Sequence, residues 1–226
     1  MGKERILFSW SGGKDSSLAL QQLQKENNHE IVALLTTVTG GYNRVSMHGV
    51  RDSLLIKQAE SLGYPLKVVT INQQSSNQEY ETRMGEALKE YKDVGVMGVG
   101  IGDIFLEDLR RYREERLAQL DLRGFFPLWK KDTQELACDF IAQGFKAVIS
   151  CVDTRALDAK FVGRQFDKNF LRDIPSSLDP CGENGEFHSF VYDGPIFKNP
   201  IKHKAGERVL RENRFCYCHI IETEDA

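Results

Sequence analysis

The stretch ILFSWSGGKDSSLAL, residues 6–20, decides how the chain begins to fold. An apolar run breaks at two glycines, a lysine, an aspartate and two serines. An apolar helical pattern follows, with Leu18, Leu20 and Leu23. Arg5 to Trp10 is therefore expected to be a buried strand and Asp15 to Lys25 a helix. A glycine-rich turn at such a junction lets backbone N–H groups close on an anion, which also feels the helix N-terminus. Gly12 and Gly13 permit positive φ and remove the Cβ atoms that would block approach. Lys14 supplies a compact charge for phosphate oxygens, and Ser11, Ser16 and Ser17 supply further donors. Asp15 is placed either to hold Mg²⁺ or to cap the helix. Walker A is excluded, because Phe8 and Asp15 stand where that loop needs Gly and Ser or Thr. The dinucleotide fingerprint is excluded too, because residues 11–16 do not supply GxGxxG.

Outward from this loop, strand and helix patterns alternate. EIVALLTT (30–37) reads as a second buried strand, Val50 to Leu62 as a helix closed by Gly63, and Leu66 to Ile71 as a third strand. Asn77 to Lys92 is a helix, Gly95 to Val99 a fourth strand, and Asp103 to Asp121 a long charged helix. After the link GFFPLW come a helix over Asp132 to Gln143 and a fifth strand over Phe145 to Val152. This alternation predicts an α/β fold, a parallel sheet with helices on both faces. Beyond about residue 153 the pattern changes to turn clusters and short alternating runs, with one or two antiparallel strands in RVLRENRFCYCHII (208–221). The expected division is 1–153 for the parallel unit and 154–226 for a smaller α+β appendage at the sheet's edge or C-terminal rim.

The bulk properties narrow the class. The chain has 226 residues, a formal charge of −3 and 41% hydrophobic residues, which suits one well-cored domain with an appendage. No basic excess marks nucleic acid as the main partner. No run approaches ~18 apolar residues and the N-terminus lacks a signal-peptide core, so no membrane association is expected. Five cysteines, an odd number, fit reduced thiols in a cytoplasmic protein better than a disulfide framework.

SGGKDS (11–16) after the first strand resembles the PP-loop of the ATP pyrophosphatases, the adenine-nucleotide α-hydrolase (HUP) superfamily. VGVGIGD (96–102 and Asp103), the helical arginines Arg110, Arg113 and Arg116, PLW (127–129) and GENGEFHS (182–189) together resemble the diphthine–ammonia ligase family over about residues 5–195. The resemblance implies ATP as co-substrate, with Ser11, Gly12, Gly13, Lys14, Asp15 and Ser16 around the pyrophosphate and Leu35 and Thr36 by the adenosine; Ser9 and Ser17 flank the loop as further nucleotide-binding candidates. It implies an AMP- and pyrophosphate-forming ligase that adenylates a carboxylate for amidation by ammonia. The acceptor would be diphthine on elongation factor 2 or a small-molecule carboxylate.

Other groups are candidates on local grounds. Glu183, Glu186 and His188 could bind ammonium, hold Mg²⁺ or deprotonate the incoming amine, with Gly182 and Asn184 beside the acceptor. The competing reading is an Asn184–Gly185 turn with solvated glutamates. Gly100 and Gly102 would let backbone approach the nucleotide, and Asp103 would touch ribose, Mg²⁺ or acceptor unless it is a helix cap. Arg113 is the arginine chosen for acceptor or phosphate, against a helix laced with ion pairs. His48 is a loop candidate for acceptor contact. Cys216 and Cys218 share a strand face and read as core rather than zinc ligands. Two alternatives stay open: an ATP-binding sensor without turnover, and a tRNA-thiolating enzyme using Cys151 or Cys181. The sequence also leaves the oligomeric state open, a homodimer included.

Overall fold

The computed structural model describes residues 2–41, 44–45, 49–72 and 75–223. His48 lies outside the described residues. The first sheet is built from β1 (Glu4–Ser9), β2 (His29–Thr39), β4 (Leu66–Ile71), β5 (Gly98–Gly100) and β6 (Arg123–Phe125), with the two-residue β3 (Arg44–Val45) pairing antiparallel to the end of β2. The parallel strands lie in the order β4-β2-β1-β5-β6. The chain therefore moves outward from β1 on one side, then returns to its other side. The reversal point between β1 and β5 is where ligands collect in open α/β sheets.

Both faces of β1 are buried, and its residues alternate between them. Ile6 and Phe8 join the core under α1 (Lys14–Glu26) and α2 (Asp52–Leu62). Leu7 joins the smaller core under α3 (Asn77–Lys92) and α4 (Glu107–Ala118). That alternation is the strand period of two at work. Gly98 and Gly100 on β5 are packing residues. A Cβ on Gly100 would lie 2.7 Å from Leu23 and Phe8 side chains, and one on Gly98 would lie 2.4 Å from the Arg123 carbonyl.

Three sequence expectations shift. The fourth strand starts at Gly98 rather than Gly95, because Gly95 (φ +93°) still closes the turn that ends α3, its N–H donating to the Lys92 carbonyl. The charged helix starts at Glu107 rather than Asp103. The Ile104 N–H donates to the Glu183 carboxylate and its carbonyl accepts from Lys130, so this backbone is committed elsewhere. The run 145–152 is not a fifth parallel strand. After α5 (Thr133–Ala142) it forms β7 (Lys146–Asp153), which lies inside a separate antiparallel sheet ordered β8-β7-β10-β9. Its partners are β8 (Phe187–Asp193) and β10 (Phe215–Glu222), and β9 (His203–Arg211) is the far edge. A division after residue 153 would part β7 from its own sheet. The short α6 (Lys168–Asp173) and a 3₁₀ turn at Ala159–Phe161 complete this unit.

The second sheet joins the first through one continuous core that includes Phe8, Leu128, Val148, Phe170 and Phe190. A polar knot fixes the seam. Gln58, fully buried on α2, accepts from the Trp10 indole N–H at 3.0 Å and donates to the carbonyls of Gly12 (3.0 Å) and Val191. Gly12 holds φ +77°, and a Cβ there would meet Gln58 Oε1 at 2.7 Å, so a side chain at Gly12 disturbs the fold as well as the loop. Gln58→Ala would strand the Trp10 indole N–H in the core and take a donor away from the Gly12 and Val191 carbonyls. It is expected to cost about 3 kcal/mol of unfolding free energy, read as a lowered urea midpoint.

Candidate functional site

The glycine turn runs from β1 into α1, whose N-cap is Gly13 in extended conformation. No side chain caps this helix, so Asp15 sits in its first turn and does not serve as the cap. Ser16 and Ser17 both donate to the Gly13 carbonyl, at 2.9 and 3.0 Å, and Ser11 donates to Ser16 at 3.1 Å. These bonds hold the turn rigid. Ser17 is fully buried beneath it and supports the loop rather than facing the cleft.

The loop does not stand alone. Strand β8 lies against it: the Val191 N–H donates to the Gly12 carbonyl at 2.9 Å, and the Lys14 N–H donates to Ser189 Oγ at 3.1 Å. The Lys14 side chain is only 3% exposed. Its ammonium donates to the Cys181 carbonyl and to Asp15 Oδ2 (2.8 Å), and it sits 5.3 Å from the Phe187 ring centroid and 5.9 Å from that of Phe166. Burial alone would lower its pKa. The nearby acids Asp15 and Glu183 outweigh that and raise it, so Lys14 is a buried, permanent cation.

A cleft of about 200 Å³ opens over this lysine. One wall is the loop, with Ser9, Ser11, Lys14, Asp15 and Ser16. A second comes from the end of β5, with Gly102 and Asp103, and from Arg113 on α4. The third comes from the second unit, with Gly182, Glu183 and His188. These sequence-predicted residues are thus brought together. Gly102 is needed at its place, because a Cβ would stand 3.1 Å from the Asp15 carbonyl and the Ser16 N–H nitrogen.

Several candidates lie elsewhere. Glu186 and Asn184 do not line the cleft; Asn184 donates to Glu186 at 3.0 Å, and that pair braces the turn before β8. Gly12 and Gly13 shape the turn from behind, and Gly100 is buried against Phe8 and Leu23. Leu35 lines a neighbouring cavity, whereas Thr36 is buried on the other face of β2. Cys216 and Cys218 are buried, as expected for core. Phe187, Ser189 and Gln58 carry contacts that sequence reasoning missed. Gln58 had a signal: it is a polar residue on the α2 face otherwise made by Leu54, Leu55 and Leu62.

The electrostatics are those of a cation site as well as an anion site. Burial pushes the Glu183 carboxyl up to about 7; the charges of Asp15 and Asp103 add to this, against the Ile104 N–H and Lys14. Burial likewise raises Asp103, despite an ion pair with Arg113 at 2.9 Å. It raises Asp15 against the pull of Lys14. Asp15 Oδ1 is buried without a hydrogen-bond partner among the described residues. Three acids with raised pKa values therefore converge beside Lys14. Burial also drives the Cys181 thiol far up, and its Sγ contacts the Thr133 carbonyl at 3.3 Å, so it is a neutral packed thiol and not a nucleophile.

A second cavity of about 240 Å³ adjoins the cleft and shares Ser9, Ile101 and Arg113 with it. It lies between α3 and α4, with Leu35, Tyr80, Met84, Leu88 and Tyr112 in its walls. A largely apolar chamber next to a cleft of mixed charge suits a ligand with a flat ring at one end and metal-bound phosphates at the other.

No helix among the described residues is long and apolar enough to cross a membrane. The diphthine–ammonia ligase of Schizosaccharomyces pombe is 28% identical over 94% of this chain, which spans 39% of that relative's length. The diphthine–ammonia ligase of Danio rerio is 29% identical over 92% of this chain and 90% of its own, and that of Homo sapiens 28% identical over 91% and 85%. A solved structure, the U34-tRNA thiolase NcsA from Methanococcus maripaludis with its [4Fe-4S] cluster, is similar over 62% of this chain and 57% of its own, at 13% identity and a TM-score of 0.38. The sequence model described as the diphthamide synthase N-terminal domain matches residues 4–123, and that of the diphthamide synthase C-terminal domain matches residues 132–225. With the two matches together spanning almost the whole chain, the protein belongs to the diphthamide synthase family.

Proposed function

We propose that this protein is an ATP-dependent ligase of the diphthine–ammonia ligase type, which converts a carboxylate to its amide with ammonia and releases AMP and pyrophosphate. The observation that carries the reading is the buried Lys14 ammonium, held at the base of a cleft walled by both units. In the reaction, an oxygen of the acceptor carboxylate attacks the α-phosphorus and pyrophosphate leaves. Ammonia then attacks the acyl carbon, AMP leaves with the bonding pair, and one proton is given up. Lys14 and the loop N–H groups meet the negative charge that grows on the departing pyrophosphate. The neighbouring apolar cavity takes the adenosine, with Leu35 in its wall.

Mg²⁺ fits the residues present, since Asp15 Oδ1 is a buried oxygen without a partner. Among the described residues no group of three or more His, Cys, Asp or Glu is arranged to hold a metal ion. Asp15 would therefore hold it together with phosphate oxygens and water, and the ion would neutralise phosphate charge. Glu183, with its pKa near 7, is the group suited to take the proton from the incoming amine. His188 stands across the same cleft for the acceptor side. The acceptor is diphthine on elongation factor 2, as the relatives' name suggests for the chemical group; a small-molecule carboxylate is the alternative. The tRNA-thiolating reading is not favoured, because Cys181 and Cys151 are buried thiols with raised pKa values.

The test uses purified protein with labelled ATP, Mg²⁺ and ammonium, with and without diphthine-bearing elongation factor 2. AMP release tied to a matching mass change on the factor is expected; nucleotide binding without it would move the search to small carboxylates. Lys14→Ala should lower AMP formation by roughly 10²- to 10³-fold or more. A second prediction concerns pH. The folded state keeps the Glu183 proton up to about pH 7, whereas the unfolded chain loses it near its ordinary value of 4.5. The unfolded state thus binds fewer protons in that window, and stability contributed by this group falls as pH rises through it. Glu183→Gln should gain in urea midpoint over the parent at pH 8 but not at pH 4.5.

A further inference from the structure

The chain between β5 and α4 is neither helix nor strand, yet it carries Gly102 and Asp103 of the cleft wall. The turn that follows β6 grips it. The Ile101 N–H donates to the Phe125 carbonyl at 2.8 Å, and the Lys130 N–H donates to the Ile104 carbonyl at 2.7 Å. Lys130 holds φ +57°, an uncommon conformation for a residue with a side chain. Beside it, Trp129 and Phe126 form a clip, their rings 6.1 Å apart at 64°. The Arg110 guanidinium of α4 lies over both, 4.5 Å from the Phe126 centroid and 4.6 Å from that of Trp129. Glu114 accepts from Arg110 at 2.8 Å and steadies it there.

Ile104 is therefore held from two directions. The clip ties α4 to the 126–130 turn, and the Lys130 bond ties that turn to Ile104 itself. The Ile104 side chain is fully buried, and its N–H is given to Glu183 Oε1 at 2.8 Å. A backbone N–H bonded to a carboxylate favours the ionised form. This bond works against the burial that keeps Glu183 protonated. How firmly Ile104 is held thus bears on how readily Glu183 exchanges its proton.

We propose that Trp129 is a positioning residue for Glu183: its ring clips Arg110, fixes the turn that grips Ile104, and so holds the Ile104 N–H against the carboxylate. The value of this link to catalysis rests on the reading of Glu183 as the base for the incoming amine. The other groups around Glu183 are Lys14 and Asp15 from the loop and Asp103, paired with Arg113, from the wall. Asp179, Cys181 and His188 complete them from its own unit. All of these are retained in the variants used to test the link.

The test is urea unfolding at pH 4.5 and pH 8 of the full chain and of Trp129→Ala, Trp129→Phe and Arg110→Ala, each with and without Glu183→Gln. Trp129→Ala should lower the midpoint at both pH values through lost packing. Beyond that, its fall from pH 4.5 to pH 8 should exceed the parental fall by roughly 0.5 M urea, the size expected if a weakened N–H bond moves the Glu183 titration in the folded chain up by about one unit. Glu183→Gln should abolish this excess. Arg110→Ala should show a smaller excess of the same sign, and it decides the matter alone if Trp129→Ala does not fold. Trp129→Phe keeps a ring over Arg110 and should fall as the parent does. A loss that is equal at the two pH values, or an excess that survives Glu183→Gln, overturns the proposal and leaves the clip as packing alone. If the parent forms no AMP with any acceptor, the ligase reading fails, and the unfolding cycle still decides whether Trp129 acts on Glu183.

Discussion

The contact between strand β8 and the glycine turn is the constraint on which the site depends. A turn of this kind must keep its backbone dipoles aligned without a ligand, although glycines favour disorder. Here the Gly12 carbonyl is held by the Val191 and Gln58 donors, and the Lys14 N–H is held by Ser189. The loop is therefore shaped by a strand that follows it by more than 170 residues, as well as by its own sequence. This is preorganisation in the electrostatic sense: donors and charge are fixed before any anion arrives.

The same contact explains how a lysine can be buried beside a polar cleft. An isolated ammonium in the interior is costly unless paired and hydrogen-bonded. Lys14 has a carbonyl, a carboxylate and two aromatic faces around it, and three of these four come from the second unit. The acids that compensate this charge are themselves uncomfortable, with Glu183 raised to about 7. The cleft thus holds opposed charges in poor solvent, an arrangement that a metal-bound polyphosphate would relieve.

Much of the parallel sheet was legible because its signals are local. Ile6 to Phe8, the SGGKDS turn and Leu18 to Leu23 follow strand and helix periods on either side of an obligatory break. The loop side of the cleft, Ser11 to Ser16, could be read for the same reason. β7 was misassigned because VISCV is buried on both faces. That is the signature of a parallel strand, yet a central antiparallel strand covered on both faces gives the same run. Nothing local separates Glu183, which lines the cleft, from Glu186, which braces a turn three residues on. Ser189 and Phe187 were invisible for a different reason: a serine and a phenylalanine in a strand are ordinary, and only the tertiary docking of β8 gives them work.

The route of the chain through the cleft also has a consequence for its synthesis. The loop at residues 9–16 emerges from the ribosome well before Cys181, Ser189 and Val191. Until then the lysine has no carbonyl to meet and the turn has no strand to lean on. A partly made chain can form its parallel strands but not a finished cleft. The ordering of the sequence therefore leaves the cleft over Lys14 unfinished until the second unit has been made.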